Sequence, residues 1–482
     1  MVIETDDRAA FRVTQRDLVD PFGSARSPRT VLVVPSMTLD SAGLVKIPGV
    51  NHYEERFLVF LQLLRDPAVR VVFVTSEPIA DAVVDYSLGL FGCTRERLTM
   101  LDCGSRDPIP LTEKVLRRPD LLAALRALDP SVLVAFNGSP QERALAVRLG
   151  VPLFAADPDL AGLGSKTGSR RLFAEAGVPV APGFDGLRDT GDVVAALADL
   201  RAADPTVGSA IVKLNDSFGA GGNVVFSFDG APGTGLADWV RRELPGRAVF
   251  ASPPDSWEDY AAKVDEMGAV VERFVTADET TSPSAQVLLV DGAARVLSTH
   301  DQVLAGAEKQ IFVGCTFPSR AEYRTQVQDM ALRAGTALAR AGVSGIASVD
   351  FVSARTGDAW RHFGLEVNLR MGGGTAPFLM LRGLVPGEYD PSTAEFRAED
   401  GTPRSYFATD RVLRPEYRAL RPADLIGVLD TERFDPESRT GAAGYMLSAV
   451  EIGRFGVVYV DRDTALATAG YRRVVAGVDA LV

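Results

Sequence analysis

The chain has 482 residues, 46% apolar and 24% charged, with a formal charge of −12; that length implies two to four packed units, and such acidity without a long basic block argues against a nucleic-acid partner. No apolar run approaches the roughly 18 residues of a membrane helix, and the polar N-terminus lacks the apolar stretch of a secretory signal. Three scattered cysteines, Cys93, Cys103 and Cys315, fit neither a disulfide framework nor a thiolate metal site, so a cytoplasmic protein with reduced thiols is expected.

The first part alternates strands and helices. Residues 31–36 (VLVVPS), 71–76 (VVFVTS) and 132–138 (VLVAFNG) are short β-branched runs, with helical stretches such as HYEERFLVFLQLL and DLLAALRAL between them. This pattern predicts a parallel sheet covered on both faces. No G-x-G-x-x-G follows any of these strands, which disfavours a dinucleotide-binding dehydrogenase. Further on come a short strand, a loop, and a helix beginning near Lys166, stopped at Gly177 with Pro179 beyond. A charged helix (191–203), a strand AIVKLND (210–216), the glycine-rich turn SFGAGGN (217–223) and a strand VVFSF follow. Strands are also predicted at 270–275 and 285–292, and an antiparallel ladder between 345–352 and 362–370. The tail beyond about 385 predicts a helix, a hairpin in SAVEIGRFGVVYVD, and a last helix from Asp463.

A negatively charged protein that binds a polyanion must supply its own local cations and metal-binding carboxylates. In the strand 362–370, alternation puts Glu366, Asn368 and Arg370 on one face. Oxygens two residues apart on a strand can converge on a hard cation shared with phosphates, and Asp350 adds a third if its strand pairs alongside. A half-buried strand with a solvated polar face is the plain alternative, but the continuation Arg370-Met371-Gly372-Gly373-Gly374-Thr375 weighs against it. Glycines there let backbone N–H groups approach an anion, and a guanidinium beside metal ligands suits a phosphoryl group or a carboxylate. Lys213 lies inside an apolar strand just before SFGAGGN, and a buried lysine needs a partner. Lys166 in GLGSKTGSR is not a P-loop lysine, because Ser165 precedes it instead of glycine. Glu272 and Glu279 bracket a strand end, as two surface acids or as groups at a hinge.

Read in order, these pieces resemble the ATP-grasp superfamily over roughly 31–384. The resemblance implies an α/β ATP-grasp fold: a Rossmann-like pre-grasp domain at 1–155, an ATP-grasp region at 156–385 with a small α+β lid at about 183–270, and an extra C-terminal α/β unit at 386–482. It further implies that Lys166 and Lys213 hold the α- and β-phosphates of ATP, under a lid loop with Ser217, Gly219, Gly221 and Gly222. Glu272 and the backbone near Phe274 and Val275 would meet the adenine, and Glu279 the ribose. Asp350, Glu366 and Asn368 would ligate Mg²⁺, two ions in the family's pattern, with Arg370 near the γ-phosphate and the acyl phosphate. A narrower resemblance, in STHDQVLAGAEKQIFVGCTFP and the C-terminal unit, is to the pheganomycin-type peptide ligases. It implies His300, Asp301, Gln302 and Gln310 near the acyl substrate, with Gly373 and Gly374; His300 reads equally as an ordinary polar strand-end residue.

The expected activity is ATP-dependent joining of an amino-acid-like carboxylic acid to an amino acid or peptide amine, through an acyl phosphate, in specialised metabolism. An ATP-grasp phosphotransferase and a non-catalytic ATP-binding sensor are the rival readings, although a sensor would have little use for Glu366 and Asn368. The C-terminal unit can close the active site, bind a peptide or make a homodimer, and its composition does not decide.

Overall fold

A computed structural model of the chain describes residues 7–23, 29–38, 44–45, 47–217, 222–251, 256–305 and 311–482. Among these described residues there are three sheets. The first holds β1 (Arg29–Val33), β2 (Val69–Thr75), β3 (Leu98–Asp102), β4 (Val132–Val134) and β5 (Leu153–Phe154), all parallel, in the order β3-β2-β1-β4-β5. Val31 to Val33 and Val132 to Val134 are wholly buried, because helices cover both faces and every side chain of these short runs meets protein. The order reverses between β1 and β4, and a crevice opens at the carboxyl ends of strands at such a point. Met37 and Phe136 lie just beyond those ends and line the central cavity. The predicted helix through HYEERFLVFLQLL is a run of 3-10 turns, Val50–Arg65.

The second sheet is antiparallel, β6 (Gly183–Leu187), β7 (Ser209–Leu214), β8 (Asn223–Ser227), β9 (Val249–Phe250) and β10 (Ala269–Arg273), ordered β6-β10-β7-β8-β9. Helices Thr190–Ala203, Leu236–Arg247 and Trp257–Met267 pack on it around Leu197, Phe226 and Trp239.

The third sheet has eleven strands: β11 (Glu279–Thr281), β12 (Pro283–Val290), β13 (Ala293–Ala305), β14 (Ile311–Phe317), β15 (Gly345–Thr356), β16 (Ala359–Asn368), β17 (Gly387–Asp390), β18 (Glu395–Ala398), β19 (Pro403–Leu413), β20 (Gly441–Tyr445) and β21 (Arg454–Asp461). The helix Arg324–Arg340 lies on β12 and β13, burying Val327, Met330, Ala331, Ala334 and Leu338, the spacing of one helical face. The predicted ladder is present: β15 and β16 pair antiparallel, with Asp350 opposite Glu366 and Ser348 opposite Asn368. The tail departs from expectation in one respect. The first half of SAVEIGRFGVVYVD is a 3-10 segment, Leu447–Ile452, and the hairpin partner of β21 is β20. Strand β19 pairs with β14 on one side and β21 on the other, so the strands after 385 continue this same sheet. The last helix, Thr464–Asp479, is capped by Asp463, whose side chain accepts from Leu466 N. Among the described residues no helix is long and apolar enough to cross a membrane.

Candidate active site

A cavity of about 1620 Å³ opens between the three sheets. Asp350 and Glu366 face each other across β15 and β16, beside a bulge between Asp350 and Phe351. Bulges re-aim side chains and recur next to active sites. Asn368 Nδ2 donates to Asp350 Oδ2 at 2.9 Å and to Glu366 Oε1 at 3.1 Å, and Gln302 Nε2 donates to Asp350 Oδ1 at 3.1 Å. Burial pushes the Asp350 carboxyl up to about 6, against the pull of Arg370 and Lys166. Among the described residues no cluster of three or more His, Cys, Asp or Glu side chains is placed to hold a metal. Two carboxylates and an amide nevertheless suit Mg²⁺, which takes few protein ligands and completes its shell with water and phosphate oxygens. Rotated about its last torsion, the Asn368 amide would present Oδ1 instead of its N–H groups.

Two lysines reach the same cavity. Lys166 opens the helix Lys166–Glu175, capped by Ser165, whose Oγ accepts from Gly168 N at 3.0 Å. Asn215 fixes that helix start: its carbonyl accepts from Lys166 N at 3.1 Å and its Oδ1 from Thr167 N at 3.0 Å. The Lys166 ammonium pairs with Glu366. Burial lowers Lys166 to about 8, and the nearby Lys213 charge adds to the effect. Lys213, on β7, donates to Glu272 Oε2 at 2.6 Å, while Arg170 Nη1 donates to Glu272 Oε1 at 2.6 Å. Glu272 is 2% exposed. Burial alone would raise its carboxyl, but Lys213 and Arg170 outweigh that and hold it below the usual range. Two buried ammonium groups sharing one cavity fit a polyphosphate, which would relieve their repulsion. Phe274 and Val275 follow on the cavity wall, with Phe274 N donating to Ser209 O at 3.0 Å. Glu279 itself does not line the cavity, although its neighbour Thr280 and its partner Arg320 do; it pairs with Arg320 (2.6 Å) and Arg355 (3.0 Å), whose hydrogen bonds keep its carboxyl low. Ser217 and Gly222 touch at the two ends of the glycine-rich turn. Gly219, Gly221 and Gln310 lie outside the described residues.

Arg370 lies two residues beyond the end of β16, which stops at Asn368. It makes a backbone bridge to Asn137, and its guanidinium lies 5.9 Å from the Phe136 ring centroid. Burial lowers its pKa, Asp350 opposes this, and Arg56 adds to it. Gly372 to Gly374 then turn the chain into the helix Thr375–Leu384. Thr375 Oγ1 holds that turn, accepting from Gly372 N at 2.8 Å and donating to Gln286 Oε1 at 2.5 Å. Gly373 lies against Phe312 and Gly374 against the His300 ring, where an added Cβ would come within 2.9 and 2.8 Å. Gln302, Gly373 and Gly374 line the cavity, as does Asp301, but His300 does not. His300 is fully buried, its Nε2 2.5 Å from Tyr406 Oη and its ring packed on Phe317. Burial pushes its pKa down to about 3, so the ring is neutral and packs behind Gly374, one layer away from the cavity surface.

Sequence reasoning missed several of the residues that build the site. Arg170 stands one turn after Lys166 on the same helix, and that spacing was its signal. Asn215, two residues after Lys213, carried none. Tyr53, Arg56, Asp410 and Arg454 also line the cavity. Of these only Asp410 was conspicuous, as an acid in the largely apolar run YFATDRVL.

Residues 238–390 match a family model described as IQCH-like, ATP-grasp. Over 481 residues the chain is 30% identical to the L-propargylglycine–L-glutamate ligase of Streptantibioticus cattleyicolor, with 96% of each chain covered. A biotin carboxylase from Campylobacter jejuni, solved as a β,γ-ATP complex, superposes with a TM-score of 0.56 at 12% identity, over 92% of this chain and 89% of that one. The biotin carboxylase domain of Hydrogenobacter thermophilus 2-oxoglutarate carboxylase, solved with MgADP, ADP and bicarbonate, also gives 0.56 at 12% identity, over 93% and 89%. At such low identity the two structures speak for the fold.

Proposed function

Because this chain belongs to the ATP-grasp carboxylate–amine ligases, we propose that its cavity holds MgATP against an amino-acid carboxylate and passes the activated acyl group to the amine of a second amino acid or peptide. It has the ATP-grasp fold and is an ADP-forming ligase of C–N bonds, acting through an acyl phosphate in specialised metabolism. The observation that carries the site assignment is the meeting of Asp350, Glu366 and Asn368 with Lys166, Lys213 and Arg370 in one cavity.

A carboxylate approaching ATP is an anion approaching an anion, so the residues must offset charge. Lys166 and Lys213 face the phosphates, and an ammonium about 4 Å from a phosphate oxygen contributes on the order of 4 kcal/mol at an effective dielectric near 20. Glu272 holds the Lys213 ammonium in place through one oxygen while Arg170 donates to the other. Phe274 and Val275 flank the adenine, Glu279 reaches the ribose, and the 183–270 unit with Ser217 and Gly222 covers the phosphates and excludes water. Asp350, Glu366 and Asn368 would hold Mg²⁺, two ions in this reading. Bound there, Mg²⁺ would neutralise phosphate oxygens and the charge that develops in transfer. Arg370 orients the carboxylate and the transferring phosphoryl group. The Streptantibioticus relative is named for two amino-acid substrates, which supports an amino-acid acid and an amino-acid amine here.

The test is MgATP-dependent hydroxamate formation across a panel of L-amino acids, with hydroxylamine as the amine. Hydroxamate in step with equal ADP and phosphate is expected. ADP formed without phosphate would replace this reading with a phosphotransferase, and tight ATP binding without turnover of any acid would replace it with a sensor.

A further inference from the structure

Beyond Arg370 the cavity runs on between the 3-10 segment Val50–Arg65 and the strands β19 and β21, where Tyr53, Arg56, Asp410 and Arg454 line it. The mechanism above leaves these four without a role. The pairing of β19 with β21 slips between Thr409 and Val412, so Asp410 and Arg411 form a bulge. That bulge brings Asp410 into the cavity wall at 8% exposure. Asp410 pairs with both arginines, with Arg56 through Oδ2 and with Arg454 Nη2 through Oδ1 at 3.1 Å.

The two guanidiniums also share an aromatic platform. Arg56 Cζ lies 4.3 Å and Arg454 Cζ 4.8 Å from the Tyr53 ring centroid, within the range of cation–π attraction. Arg454 Nη1 donates to Tyr53 Oη, and Arg454 Nε donates to the Asp410 carbonyl at 2.5 Å. The arginine side chains are only 16% and 13% exposed. Here two positive charges meet one negative charge, leaving a net +1 in a largely buried wall. Burying an unbalanced charge is costly unless an anion completes the set. Planar guanidiniums fixed by stacking suit a carboxylate, which they meet through paired N–H donors. Arg370 lines the same cavity and lies within electrostatic reach of both Asp350 and Arg56.

We propose that Arg56 and Arg454, stacked on Tyr53 and spaced by Asp410, form a receptor for a carboxylate of an amino-acid substrate that takes no part in the new bond. The inference rests on the ligase reading above. It adds that at least one substrate is an amino acid with a free α-carboxylate, so an α-amidated or C-terminally extended analogue is rejected. The carboxylate belongs either to the acid partner, activated at another carboxyl group, or to the amine partner.

The test compares kcat/KM for each accepted L-amino acid with that of its α-carboxamide, varying the acid and the amine partner in separate arms. The wild type should favour the free acid by about 100-fold or more in one arm, as expected for a carboxylate bound by buried charge. In the acid arm only acids that carry a second carboxyl group are compared, because the α-carboxamide of an acid activated at its α-carboxyl has nothing to phosphorylate. A preference that neither variant reduces would overturn the receptor. Arg454→Lys keeps a positive charge beside Asp410 but loses the forked donors. It should cut that preference to below about 10-fold, through a higher KM for the same partner, with the KM for ATP unchanged. Arg56→Lys is the second variant, with the same expectation, should the first not fold. The arm in which the preference collapses identifies which partner's carboxylate is bound. Equal use of acid and amide in both arms, or variants that lower both forms equally, would overturn the receptor and leave the ligase reading intact. No turnover of any amino acid by the wild type would overturn that reading itself, and the receptor with it.

Discussion

Glu366 serves two cations in this account. In the structure its carboxylate pairs with Lys166 and accepts from Asn368 Nδ2 at 3.1 Å. During turnover it would share Mg²⁺ with Asp350 and Asn368, and Lys166 would move on to phosphate. Glu366→Gln keeps the shape and the hydrogen-bonding reach but removes the charge that balances a divalent ion. Its kcat should fall by about 100-fold or more, while nucleotide affinity, measured by titration calorimetry, changes little because both lysines remain. Unchanged kcat would remove Glu366 from the metal set. Glu272 has the opposite character, because its two cationic partners, Lys213 and Arg170, are protein groups and it is sealed from solvent. It acts as the anchor of Lys213, and that anchoring was not visible in the sequence, where Glu272 and Arg170 are 102 positions apart.

Strand β16 and the helix Lys166–Glu175 behave as one piece of machinery. Ser169 Oγ accepts from Val367 N at 3.0 Å, Val180 bridges to Gly364, and Phe173 lies flat where a Cβ on Gly364 would come within 2.8 Å. The helix carries Lys166 and the strand carries Glu366, so this contact sets the distance between phosphate-facing and metal-facing groups. Gly364→Ala touches neither group, yet it must push the helix off the strand. We expect a loss of about 1–3 kcal/mol in stability together with a fall in kcat; a variant with wild-type kcat would show that the helix can shift without cost to the site. The ladder itself was legible, because alternation and the Glu-x-Asn-x-Arg spacing are properties of ten consecutive residues. The parallel sheet was legible for the same reason at β1, β2 and β4, β-branched runs between helices, whereas β3, LTMLD, offers no such run and was missed. The SAVEI segment misled because its apolar spacing suits strand and 3-10 turn alike, and only the bonding of β21 with β20 decides. The packing of His300 was not legible, because it depends on Tyr406, which reaches it from a strand 106 positions away.

The three sheets enclose one reaction space. The parallel sheet contributes Met37 and Phe136, the second sheet Lys213 and Glu272, and the long sheet the acid ladder and the Asp410 bulge. A chain with a net charge of −12 can bind polyanions because its cations are gathered inward, at Lys166, Lys213 and Arg370 and again at Arg56 and Arg454. The strands after 385 continue the long sheet through β14 and β19, and they bring Asp410 and Arg454 against Tyr53 and Arg56 of the N-terminal part. Substrate choice in this reading therefore depends on both ends of the chain, which neither the glycine turn nor the Glu-x-Asn pattern could reveal. The central claim is that a carboxylate oxygen attacks the γ-phosphoryl group of ATP in this cavity. Its most direct test is turnover of an amino acid labelled with ¹⁸O in its carboxyl groups, in unlabelled water, followed by mass analysis of the released phosphate. One labelled oxygen in each phosphate is the expected result, because amine attack on an acyl phosphate leaves the bridging oxygen on phosphorus. Unlabelled phosphate from the same turnover would mean that water, not the acid, had taken the phosphoryl group, and the account would fail.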